Sequence, residues 1–135
     1  MSDIIIEEAN NKPKYVEFKA EDLEITNTFS DGIYCRSGVM PGGTFIVGHK
    51  HNNKCVNIMS TGRMKMWMDG EIYDLIAPCI FESAAGSRKV LHIIEDVTFT
   101  NVHATETTDL EELRKEIITE EEFIITDEMR GLLCG

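Results

Sequence analysis

The sequence predicts an all-β domain, a small barrel or sandwich, followed by a short helical tail. Three observations predict it. The turn signals SDGIY, MPGGT, STGRM, MDGEI and SAAGS recur at short intervals between Leu23 and Ala104, the punctuation of short strands rather than of helices. Segments such as RMKMWM and VTFTNVHAT alternate from residue to residue, the period of a strand whose two faces differ. From Thr107 that alternation gives way to apolar residues at helical spacing, Leu110, Leu113 and Ile117.

Length and charge narrow the class further. The chain's 135 residues suffice for one domain with a real core and are too few for two ordinary ones. A net charge of -11 excludes a nucleic-acid polymer as the main partner, because phosphate backbones are met by clustered Lys and Arg. Much of the acid lies in residues 109–122, which leaves the middle of the chain nearer neutral. The cysteines Cys35, Cys55, Cys79 and Cys134 form no CxxC pair, so reduced thiols and a cytoplasmic location are expected. The stretch MSDIIIEEANN has no basic leader, and its isoleucine triplet is far too short to span a bilayer; no membrane partner is expected.

Taken in order, residues 1–22 form a polar lead-in in which Ile4 to Ile6 adds an edge strand. Residues 23–106 form the barrel, and residues 107–135 the acidic helical tail. Pro41-Gly42-Gly43 breaks the chain before TFIVGHKH, and Asp69-Gly70 makes a two-residue hairpin turn, since both types tolerate positive φ. The strand before that turn puts Met64, Met66 and Met68 on one face, which predicts core packing. Glu95-Asp96 reads as another hairpin turn. In the tail, Thr108 with Glu111 and Thr119 with Glu122 read as helix starts, and Thr126 opens a last turn carrying Met129, Leu132 and Leu133.

The chemistry concentrates in GTFIVGHKHNNKC, residues 43–55. Strand alternation places His49 and His51 on one face, and Cys55 shares their parity. Imidazole and thiolate converging in a small barrel suit a divalent transition metal (Zn, Fe, Mn or Ni). An HxH pair alone is weak evidence, because many strands present such a pair to solvent.

The flanking spacing adds to it. Gly43, His49, His51, Cys55 and Gly62, separated by five, one, three and six residues, resemble the first motif of the cupin superfamily, with Cys55 where that family usually has glutamate. Ala84-Ala85-Gly86-Ser87-Arg88-Lys89 is the nearest match to the second motif, with Lys89 where the family has its third histidine. The resemblance covers roughly residues 32–104 and implies a small jelly-roll β-barrel. The segment APCIFESAAGSRKVLHIIEDVTFTNVHATE is similar to short single-domain cupins encoded by bacteriophages, which would place the protein in a host cytoplasm.

The departures from the motif leave two outcomes open. Either His103 or His92 replaces the missing ligand, giving a metal site of His49, His51 and a third imidazole, with or without Cys55. Or no metal is held, and Lys89 forms a cationic floor for a small anionic molecule, with Arg36 and Tyr34 contacting it through charge-assisted hydrogen bonds. If Lys89 points inward, Leu91 and Ile93 do too and His92 points out; His103 can lie on either face. Cys55 as a nucleophile would need a base at hand, and a small buried apolar residue is its plainer role. The resemblance also implies a homodimer. Three functions follow: a small-molecule-binding cupin, metal-assisted or not; a non-catalytic protein sequestering a small anionic metabolite or signalling nucleotide; and an interaction barrel with a vestigial pocket.

Overall fold

The structure, a computed structural model, describes residues 3–8, 15–19, 23–121 and 123–134. In chain order the strands are β1 (Asp3–Glu8), β2 (Tyr15–Lys19), β3 (Glu24–Ser30), β4 (Ile33–Met40), β5 (Thr44–Val47), β6 (Lys50–His51), β7 (Cys55–Met68), β8 (Glu71–Ile76), β9 (Cys79–Ser83), β10 (Lys89–Ala104) and β11 (Ile118–Thr119). The helices are α1 (Leu110–Ile117) and α2 (Asp127–Cys134).

Two long antiparallel strands, β7 and β10, belong to both layers of the barrel. The first half of β10 pairs with β5 and with the second half of β7, which in turn pairs with β8. Its second half pairs with β4 and with the first half of β7, which pairs with β9. The lead-in is part of the sheet: β1 pairs with β5 on one side and β2 on the other.

The strands change layer at a crease. Register shifts fall between Ile93 and Phe99, opposite Gly62. Gly62 has φ +87, and a Cβ there would stand 2.2 Å from the Asp96 carbonyl oxygen, so glycine alone fits. Glu95 and Asp96 therefore lie within a continuous bulged strand, not in the hairpin turn that their polarity predicts. Bulges bend strands without ending them. Asp69 and Gly70, at φ 49 and 93, do make the expected turn.

The layers close on Met40, Ile46, Met59, Met64, Met66, Leu91, Ile93, Val97 and Phe99. Burying each such side chain contributes about 1.5–3 kcal/mol. Met64 and Met66 are part of this core, and Met68 packs against it.

Outside the core, the two layers differ. The outer face of the β5–β8 layer is apolar and is covered by α2: Phe45, Val47 and Val90 pack with Ile125 and Leu133, and the Trp67 ring lies tilted against Phe123 at 5.5 Å. His92 points outward there, and its Nδ1 donates to the Leu133 carbonyl at 2.8 Å. Its outward direction matches the parity argument. The outer face of the β3–β4–β10–β7–β9 layer carries the row Thr26, Ser37, Thr100, Ile58, Ile80, with Cys35, Val102 and Val56 beside it. The row of Val56 ends at Glu82, which pairs with Lys54, and Glu24 stands beside Val39 on the other side, so the uncharged part of this face is the patch around Ile58 and Ile80, the latter 69% exposed.

The tail departs from expectation in detail. Asp109, not Thr108, caps α1, accepting from the Glu112 amide at 3.0 Å. Thr119 does not start a helix, because Ile118–Thr119 pairs with β6 instead; Glu122, its expected partner, lies outside the described residues. Thr126 accepts from the Met129 amide at the start of α2. Among the described residues, no helix is long and apolar enough to cross a membrane.

Candidate functional site

The site grows out of two adjacent inward rows of the second layer. One row carries Asn27, Arg36, Asn101, Asn57 and Phe81 across five strands. The next places Tyr34 beside His103, and Cys55 beside Ser83. Polar residues at inward parity would be costly unless satisfied. Here they bond one another: Asn101 Nδ2 donates to Asn57 Oδ1 at 2.7 Å, and Asn57 Nδ2 to Ser83 Oγ at 3.1 Å.

The histidine strand completes the site from the opposite side. The ladder stops at Val47 and resumes at Lys50; across the gap Gly48 and His51 donate to the carbonyls of Lys89 and Ser87 at 3.0 and 2.9 Å. The tail then holds β6 in place. Ile118 and Thr119 pair with His51 and Lys50, Asn52 donates to Ile117 O at 2.7 Å, and Thr119 donates to Asn52 Oδ1 at 2.5 Å.

These elements enclose a cavity of about 80 Å³. His49, His51, Lys89, Arg36, Asn101 and His103 give it polar walls, while Leu91, Phe99, Ile117 and Ile118 are among its apolar ones. His51, Cys55 and His103 bring one donor atom each to within 4.8 Å of one another. Cys55 Sγ lies 3.7 Å from His51 Nδ1, and the two imidazole centroids are 5.5 Å apart.

The donor set fits a transition metal. Ligand atoms about 2.0–2.3 Å from a tetrahedral ion sit about 3.5 Å from each other, close to the separation of Cys55 Sγ and His51 Nδ1. Burial, with Lys89, His103, Arg36 and His49 nearby, pushes the His51 imidazole down to about 3; burial, with Lys89 and Arg36, pushes His103 down to about 4. Both rings are therefore neutral at physiological pH, the form that ligates. Two imidazoles and a thiolate leave one tetrahedral position open.

The predicted residues divide accordingly. His103, whose face the sequence left open, points inward and joins His51 and Cys55. His49 lines the cavity, but the convergent group consists of the other three residues. Lys89 and Arg36 face the cavity. Tyr34 stands behind His103, rings stacked at 6.0 Å, fully buried with Leu113, Ile117 and Ile118, and its hydroxyl donates to Asn27 Oδ1 at 2.5 Å. Burial raises that phenol to about 12. Ser83, Asn57 and Asn101 were missed; the signal available was an asparagine at inward parity on each of two long strands, β7 and β10.

No protein-family model matches the chain, and no curated protein does. Solved structures do. An RmlC-like cupin family protein with a double-stranded β-helix fold from Methanocaldococcus jannaschii superposes with a TM-score of 0.53 at 17% identity, over 62% of this chain and 81% of that one. A mutant of salicylate 1,2-dioxygenase from Pseudoaminobacter salicylatoxidans gives 0.58 at 13% identity, over 73% of this chain but 30% of the dioxygenase. A putative ethanolamine utilization protein Q from Salmonella typhimurium LT2 gives 0.53 at 12%, over 68% and 88%. At these identities the likeness shows the fold, a cupin jelly roll.

Proposed function

We propose that this protein is a small-molecule-binding cupin that holds one divalent transition metal on His51, Cys55 and His103 and takes a small anionic molecule beside it. The observation that carries the reading is the convergence of those three donors at a cavity that Arg36 and Lys89 also face. The metal, when bound, would supply a Lewis acid with an open position. The chain's own residues would do the rest. Arg36 offers a planar fork for a carboxylate, Asn101 a further polar group, and Ile117 and Ile118 an apolar wall that limits water. A salicylate 1,2-dioxygenase of the same fold has been solved with gentisate, an aromatic carboxylate, which supports an anionic ligand by analogy.

Elemental analysis of untagged protein tests this reading. Wild-type protein should carry about one metal per chain, and His51→Ala, His103→Ala or Cys55→Ser should lose it while His49→Ala keeps most of it. Metal-free wild-type protein after growth and dialysis with Zn, Fe, Mn and Ni would overturn the reading.

A second reading dispenses with the metal. Arg36 and Lys89 beside two neutral imidazoles also suit an anion alone, and a phage-borne protein of that kind would sequester a small host metabolite. Anion binding that survives chelation and disappears in Arg36→Gln and Lys89→Met would favour it. For assembly, we propose a homodimer through the apolar patch around Ile58 and Ile80 on the outer face, which Glu82 and Lys54 border as a polar rim.

A further inference from the structure

Lys89 is an unusual lysine. It is 7% exposed, it lines the cavity, and its Nζ donates to the Ser83 hydroxyl at 3.2 Å. Among the described residues none of the ion pairs includes it. Surface lysines differ: Lys54, Lys50 and Lys115 each reach a glutamate. A lysine kept from water and outside any ion pair is held less firmly as an ammonium, though Asp69 and Cys55 act on it in the opposite sense, and its neutral amine is a nucleophile toward carbonyl carbon. Burial outweighs those two and lowers its pKa. What shares the cavity completes the picture. Arg36 recognises carboxylates, and the cavity of about 80 Å³ leaves room for a small molecule beside it.

We infer that Lys89 condenses with the carbonyl group of a small 2-oxo carboxylate whose carboxylate is held by Arg36. The neutral amine attacks the carbonyl carbon, and a proton moves from nitrogen to the former carbonyl oxygen, giving a carbinolamine. Loss of that hydroxyl with the remaining amine proton, as water, leaves an imine between Nζ and the substrate carbon. No oxidant, reductant or metal takes part. Ser83, bonded to Nζ, orients the amine. This goes beyond the metal reading and does not depend on it.

Chelator-treated full-length protein tests it with glyoxylate, pyruvate and acetaldehyde as probes. Sodium cyanoborohydride traps any imine as a stable secondary amine, read by intact mass and peptide mapping. The expected result is one adduct per chain, on Lys89, with glyoxylate or pyruvate, formed severalfold faster than on exposed Lys115. Propionate, a carboxylate without the carbonyl, should slow it. Lys89→Met should abolish it, and Arg36→Gln should slow the oxo acids while sparing acetaldehyde. Circular dichroism confirms that each variant folds; should Lys89→Met unfold, mapping the adduct in wild-type protein still decides the matter. No adduct, adducts spread over surface lysines, or equal labelling by acetaldehyde with no protection by propionate would each overturn the assignment. Metal content is measured on a separate unchelated sample, so failure here is distinct from failure of the metal site.

Discussion

Lys89 and Cys55 meet on a single hydroxyl, that of Ser83, at 3.2 Å from each. Asn57 Nδ2 donates to the same oxygen at 3.1 Å. A hydroxyl has two lone pairs and one proton. With Lys89 and Asn57 donating to the lone pairs, the proton is directed at Cys55 Sγ. Ser83 therefore fixes the sulfur's acceptor geometry while holding the amine.

Removing that hydroxyl should be felt at the proposed metal site. Ser83→Ala should weaken affinity by about tenfold or more, the usual scale for an outer partner of a ligand. Cobalt substitution reads it directly, since the sulfur-to-cobalt absorption band should shift in the variant. An unchanged band and affinity would mean that Ser83 only fills space.

Acid should destabilise the metal-free protein. His51 and His103 titrate near 3 and 4 when folded, against 6.5 for an ordinary imidazole. Between those values the unfolded chain binds more protons, so stability is full above about pH 6.5 and falls as pH drops toward 3. Urea midpoints measured from pH 7 to 4 should decline, and the decline should be shallower in His51→Asn. An equal slope in that variant would assign the acid sensitivity to other groups.

Gly62 and Gly43 should respond differently to alanine. Both have positive φ, at 87 and 85. An added Cβ at Gly43 meets nothing within 4 Å, whereas at Gly62 it meets the backbone of Asp96 and Glu95. Gly43→Ala should cost about 1–2 kcal/mol, the left-handed penalty alone. Gly62→Ala should cost clearly more and leave little folded protein. Thermal melts of the two variants check it.

The apolar patch around Ile58 and Ile80 predicts an assembly. Sedimentation should show a dimer, converted to monomer by the double substitution Ile58→Lys with Ile80→Lys. Ile76→Lys, at the 64%-exposed end of β8, should leave the dimer intact. A monomeric wild type at high concentration would refute the pairing.

Local chemistry was legible in the sequence wherever neighbours in the chain decide it. Asp69-Gly70 is such a case, as are the methionine stripe and the parity that turns His92 away from Lys89. What the sequence left hidden depends on partners far along the chain. His103 had a known period but no known face, because alternation does not say which side a core lies on. Thr119 with Glu122 read as a helix start, since the true partner of Ile118–Thr119, Lys50–His51, is almost seventy residues away. Glu95-Asp96 read as a turn because a bulge and a turn share the same polar residues. Ser83 gave no signal at all; only the pairing of Cys55 with Ser83 brings it to the sulfur.

The double membership of β7 and β10 has a mechanical meaning. One end of β7 starts at Cys55 and one end of β10 carries His103; their opposite ends bear Trp67 and His92, which α2 clamps. The two layers thus cannot slide past each other without tearing covalent chain. Any displacement at the Cys55 and His103 end has to be accommodated within the same two ribbons on which α2 rests at the other end.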